Sequence, residues 1–105
     1  MKSIRSKFVL AAVFAVAGGM CFAQTGEAVY KAHCQSCHGA TGTPNPGIAK
    51  LLGVKPANDP AVKKLTPAEM EAVVKNGKGK MKPVAGLTDA QVKEVVAYFR
   101  ELGKK

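Results

Sequence analysis

The chain has 105 residues, 16 Lys+Arg against seven Asp+Glu, three cysteines and no Trp. That length predicts one small domain, and a small domain with few large apolar residues beyond Val and Leu needs a metal, cofactor or crosslink to complete its centre. The formal net charge of +9 suits acidic partners or anionic surfaces, but not nucleic acid, because no predicted helix joins its basic residues to a base-reading face.

The first segment reads as a secretory leader. Lys2, Arg5 and Lys7 form a basic start, Phe8 to Ala17 is an unbroken apolar run, and Gly18 and Gly19 break it. Cys21 and Ala23 then place small residues at the −3 and −1 positions of a cleavage site. Residues 1–23 are therefore expected to be a cleaved signal peptide and residues 24–105 the domain. An uncleaved anchor is the alternative, but Phe8 to Ala23 as a helix spans only ~24 Å against a hydrocarbon core of ~30 Å. A lipoprotein anchor at Cys21 is disfavoured by the bulky Met20 before it. Without the leader the chain keeps 13 Lys+Arg, all seven acids, and only Cys34 and Cys37. Export permits disulfides, yet a bond between residues three apart would close a tiny loop and constrain little.

A first helix is predicted from about Gly26 to Cys37, with Thr25 as N-cap and Glu27 at the positive end of its dipole. Val29, Ala32 and His33 share one side, with Tyr30 flanking. The stretch GATGTPNPGIAKLLGVKPANDP that follows is rich in glycine and proline and is expected to be mostly loop. Leu51, Leu52 and Val54 should tuck inward, and Asp59 to Leu65 should form a helical turn. So long a loop in a compact domain calls for a task, such as wrapping a cofactor. A second helix runs from Pro67 to Asn76, with a Thr66/Glu69 capping box, a Leu65–Met70 staple and Gly77 past its end. Lys78 to Gly86 reads as a loop with little reason to be ordered by itself. A third helix runs from Asp89 to Leu102, with a Thr88/Gln91 capping box, a Leu87–Val92 staple, and Val92, Val95, Val96, Phe99 and Leu102 on one face. No run alternates as a strand would, so the fold class is all-α.

The chemistry sits in CQSCHG, Cys34 to Gly39. Zinc needs four ligands, and beyond Cys34, Cys37 and His38 only His33 or a carboxylate is at hand. A thioredoxin-type pair wants a βαβ setting, and no strands are predicted. Cys-x-x-Cys followed directly by His is the signature of covalent haem attachment. Cysteines three apart on a helical end lie on one face, where each can form a thioether to one porphyrin, while His38 offers an axial nitrogen. Gly39 lets the backbone turn away where a side chain would crowd the ring.

In these residues and in the VVAYFREL of its last helix, the chain resembles the small class I cytochromes c of bacterial periplasms. The resemblance covers Gly26 to the C-terminal helix. It implies an all-α cytochrome c fold, three main helices and loops wrapped around one covalently bound haem c. It also implies packing of Tyr98 against Gly26 with Phe99 or Tyr30 nearby, and a proline carbonyl accepting from His38, with Pro46 the choice and Pro44 the alternative. Its sixth ligand is a methionine in the loop before the last helix. After the leader only Met70 and Met81 remain. Met70 has a staple to make, so Met81 is expected to bind the iron, although Lys82 stands where the family usually has proline.

Two axial ligands leave no open site for substrate and raise the reduction potential. Val29, Ile48, Leu51, Val73, Val74, Val84 and Phe99 are expected to keep water out. The expected function is a monomeric periplasmic electron carrier cycling Fe(II)/Fe(III), not an enzyme and not membrane-inserted after cleavage. The alternatives are a haem-bearing accessory subunit of a larger oxidoreductase, or a gas-sensing or peroxidatic protein with a labile Met ligand. Lys75, Lys78, Lys80 and Lys82 are expected to steer it to acidic redox partners.

Overall fold

A computed structural model describes residues 21–105, with side chains from Thr25 onward. Residues 1–20, which hold the basic and apolar parts of the expected leader, lie outside the described residues. Among the described residues six helices follow in order: α1 Cys21–His33, α2 Gln35–His38, α3 Pro46–Leu52, α4 Pro60–Lys63, α5 Pro67–Asn76 and α6 Asp89–Leu102. The chain is all-α; among the described residues the one β-like feature is an isolated bridge between Lys78 and Met81. No described helix is long and apolar enough to cross a membrane.

The molecule is organised by α1 lying across α6. The two helices meet backbone to backbone at Gly26, where a Cβ would fall 2.5 Å from the Glu94 carbonyl oxygen and 3.3 Å from Tyr98 Cβ. Only glycine permits that approach. Around it Val29, Tyr30, Ala57, Val95 and Leu102 form one buried cluster. Met70 and Val74 of α5 join Val92 and Val96 of α6 in a second, and Leu87 and Phe99 pack against both.

α1 differs from its expected form at both ends. It is already helical at Cys21 and continuous through Thr25, so Thr25 is not its N-cap; nothing in Cys21 to Thr25 breaks a helix. Glu27 therefore sits away from the helix start and pairs with Lys31 at 2.9 Å, one turn on. The buried side is Gly26, Val29 and Tyr30, set by the crossing with α6, while Ala32 and His33 face solvent. The helix also stops short of Cys37: it closes on the Cys34 N–H to Tyr30 carbonyl bond, and α2 begins at Gln35.

The expected long loop is not featureless. Asn45 caps α3 by accepting from Gly47 N–H at 2.8 Å, Pro46 takes the first helical position, and left-handed Gly53 ends the helix. Leu51 is 66% exposed, contrary to its expected inward position, because α3 turns it outward while Leu52 and Val54 are half-buried. The turn expected over Asp59 to Leu65 is α4, capped by Asp59. Both expected capping boxes are complete: Thr66 with Glu69 on α5, and Thr88 with Gln91 on α6.

Candidate haem site

Cys34, Cys37 and His38 come together where α1 hands over to α2. The His38 N–H bonds the Cys34 carbonyl at 2.9 Å and the Cys37 N–H does so at 3.2 Å, which folds the motif into a single turn. Both cysteines are half-buried free thiols. Burial, and then the neighbouring Cys37, pushes the Cys34 thiol above its ordinary value, so it is held as the thiol.

The His38 ring rests edge-on against Phe99 with centroids 5.3 Å apart. Burial lowers its pKa, favouring the neutral imidazole that can give a lone pair to a metal. Its Nδ1 is buried and has no hydrogen-bond partner, an arrangement native structures rarely leave unanswered.

Gly39 follows at φ +82°, where a Cβ would fall 2.0 Å from the Thr43 carbonyl oxygen. The obstacle there is the chain's own backbone. Tyr30, 1% exposed, donates its hydroxyl to the Gly39 carbonyl and packs beside Tyr98 and Phe99. It thereby ties the end of the motif to the α1–α6 crossing. Tyr30 was expected only to flank the first helix's apolar side or, by resemblance, to lie near Tyr98 and Gly26; the signal for its burial was its spacing from Gly26, one helical turn away on the same face.

Neither Pro46 nor Pro44 accepts a bond from His38, whose Nδ1 has no partner. Pro46 is exposed at the first position of α3, where a carbonyl is taken up by the helix ladder. Pro44 is the buried proline of the segment.

Met81 lies on a separate segment after α5, half-buried. It closes a tight turn with Lys78: each backbone N–H bonds the other's carbonyl at 3.0 Å. Gly77, at φ +77°, admits the Met81 carbonyl to within 2.7 Å of where its Cβ would stand. The Val84 N–H then bonds the Val74 carbonyl at 2.9 Å. The segment expected to lack order is thus fastened to α5 on both sides of Met81. Met70 instead is buried among Val74, Val92 and Val96, with Leu65 packed on the cluster as the staple requires.

The basic cluster is partly engaged. Lys75 pairs with Asp89 at 2.9 Å, and Lys80 Nζ donates to the Leu51 carbonyl at 2.9 Å. Lys78 and Lys82 are exposed and make no ion pair among the described residues.

These residues fit a haem: two neighbouring thiols, a half-buried imidazole with a buried, unanswered ring nitrogen, a half-buried thioether, and Ile48, Leu52, Val54, Val73 and Val84 left half-buried. They do not fit zinc, since no group of three or more His, Cys, Asp or Glu is placed to hold a metal ion among the described residues. The helical fold and this corner define a small c-type cytochrome. The family of cytochrome c oxidase, cbb3-type, subunit III matches residues 22–99, and the chain belongs to it. Membership makes it a haem-bearing electron-transfer protein and implies covalently bound haem c. Among curated proteins none matches the chain.

Proposed function

We propose that the chain carries one haem c and passes single electrons between redox proteins of the periplasm. The observation that carries this is the Cys34–Cys37–His38 turn, with its half-buried imidazole whose Nδ1 is buried and unanswered, in a member of this family. The haem supplies reversible one-electron chemistry at its iron. Cys34 and Cys37 would hold it by thioethers, and His38 and Met81 would supply the nitrogen and sulfur that bind its iron. Phe99 fixes the plane of the His38 ring, and the Tyr30 bond to Gly39 fixes the backbone behind it. Pro44, buried and close in sequence, replaces Pro46 as the proposed acceptor for His38; such a bond orients a ligating ring. The half-buried aliphatic side chains would keep water from the group, which would disfavour its more charged ferric state and raise the potential.

Lys78 and Lys82 are the cations of the cluster left to meet an acidic partner. The charge of the chain and its reading as an exported protein support a periplasmic carrier. The description of the matching family as an oxidase subunit supports a second reading, a haem-bearing subunit that works within a larger oxidoreductase. Neither reading needs an open iron.

Carbon monoxide tests that shared feature. The ferrous protein should bind it poorly, while Met81→Ala should bind it readily, titrate at a lower potential, and lose the weak red absorption band that the family associates with sulfur on ferric iron. Rapid binding by the unmutated protein would favour a sensor or a peroxidatic enzyme.

A further inference from the structure

The turn that carries Met81 is fastened to α5 by backbone bonds before and after the methionine. It is also held to α3 by a side chain. Lys80, inside the turn closed by Lys78 and Met81, reaches across to donate its ammonium to the Leu51 carbonyl at 2.9 Å. Leu51 lies 29 residues earlier, in the last turn of α3. The last carbonyls of a helix have no partner within it, so this one is available, and a cation there also suits the negative end of the helix. Neither flanking lysine makes such a bond: Lys78 and Lys82 have no side-chain hydrogen bond among the described residues. The link joins the segment after α5 to the segment after the haem-attachment turn. Those two segments otherwise belong to different parts of the chain.

We propose that Lys80 is a positioning residue for Met81: its bond to Leu51 clasps the turn to α3 and limits how often the methionine leaves the iron. The proposal rests on Met81 being the sixth ligand. It separates Lys80 from the docking role expected for its neighbours. Its ammonium is committed to the molecule's own backbone, whereas those of Lys78 and Lys82 remain open. Nothing in the clasp touches the iron. Its action is on the open and closed populations of the turn, so an outside ligand that needs the open form reports on it directly.

The test is imidazole binding to the purified ferric holoprotein at about pH 8, where free imidazole is neutral, so that a changed surface charge does not itself alter its approach. Lys80→Gln should bind imidazole about threefold to tenfold more tightly than the parent, the range the net contribution of one solvent-exposed hydrogen bond supports. Its red band should persist without ligand. Lys80→Arg, which can still donate to a carbonyl, should return the affinity toward the parent value. Lys63→Gln, an exposed lysine of α4, should leave it unchanged. If Lys80→Gln and Lys63→Gln both match the parent, with the red band present in all, the clasp is overturned and the ligand stands. If the parent lacks the band and Met81→Ala binds imidazole no better than the parent, sulfur ligation fails and the clasp falls with it.

Discussion

Gly26→Ala tests the α1–α6 crossing by the sign of its effect. In the interior of an ordinary helix, alanine in place of glycine stabilises by ~1 kcal/mol. At Gly26 the added methyl would stand 2.5 Å from the Glu94 carbonyl oxygen and 3.1 Å from its carbon, well inside the ~3.5–4.0 Å at which carbon atoms rest. The obstacle is helix backbone, which has no rotamer to change, so α1 and α6 must move apart. That loosens Val29, Tyr30 and Val95 together. Overpacking of this kind costs ~1–3 kcal/mol, and with a rigid obstacle the upper part of that range applies. Less the propensity gain, the net loss is about 1–2 kcal/mol. For a domain of this size each 1 kcal/mol lowers the Tm by roughly 4–8 °C. Urea and thermal unfolding of the haem-loaded protein, followed by circular dichroism, give the number, and Gly26→Val should lose more than Gly26→Ala. An alanine variant as stable as the parent, or more so, would show that the helices do not cross at this residue and would refute the packing argument.

Burial pushes the Tyr30 phenol up to about 12, above its value of ~10 in an unfolded chain. Its neutral form is therefore favoured by folding. That contribution is complete below about pH 10 and is lost as pH rises toward about 12, up to roughly 2–3 kcal/mol at ~1.36 kcal/mol per unit. Tyr30→Phe should lower stability at neutral pH by ~1 kcal/mol through the lost bond to Gly39 and should flatten the alkaline fall; urea midpoints across pH check both, and parallel curves for parent and variant would count against the assignment. Met70→Ala should cost ~2–5 kcal/mol, as for a buried side chain deleted from a core, while keeping the red band; losing the band would make Met70 the ligand. Replacing Lys78 and Lys82 together by Gln should slow electron transfer to an acidic partner at low salt, with the gap closing as the Debye length shortens to ~8 Å near 0.15 M. Lys75→Gln should do less, because that ammonium is already shared with Asp89; equal rates for the double variant and the parent would remove the docking role.

Much of the frame was legible because it is written in local chemistry. The capping boxes at Thr66 and Thr88 and the staples beneath them depend on residues three to five apart, and the structure reproduces both helices with their expected bounds. The buried face of α6 followed from its spacing. What the sequence reading missed depends on tertiary approach. The buried side of α1 is set by Glu94 meeting Gly26, so His33 and Ala32 turned out to solvent and Tyr30 turned in. α3 had its own signals, an Asn-Pro start and a glycine end, but they lay inside a stretch whose prolines read as breakers. Two of those prolines begin helices: Pro46 in α3 and Pro60 in α4. At the site, the attachment motif was legible from five contiguous residues. The placing of Pro46 was not, because two prolines two residues apart differ only in how the folded loop buries them. The order around Met81 was also hidden, since it arises from Gly77, Val74 and Leu51 acting across the chain.

Everything proposed for this protein depends on Cys34 and Cys37 holding a haem. Mass spectrometry of protein expressed with a haem-attachment system tests it most directly. The expected result is one species, heavier than its polypeptide by the mass of a single haem, whose colour survives acid–acetone extraction; Cys34→Ser with Cys37→Ser should lose both the added mass and most of the fold, because the core lacks its centre. A polypeptide of unmodified mass, or a haem that acid–acetone removes, would contradict it.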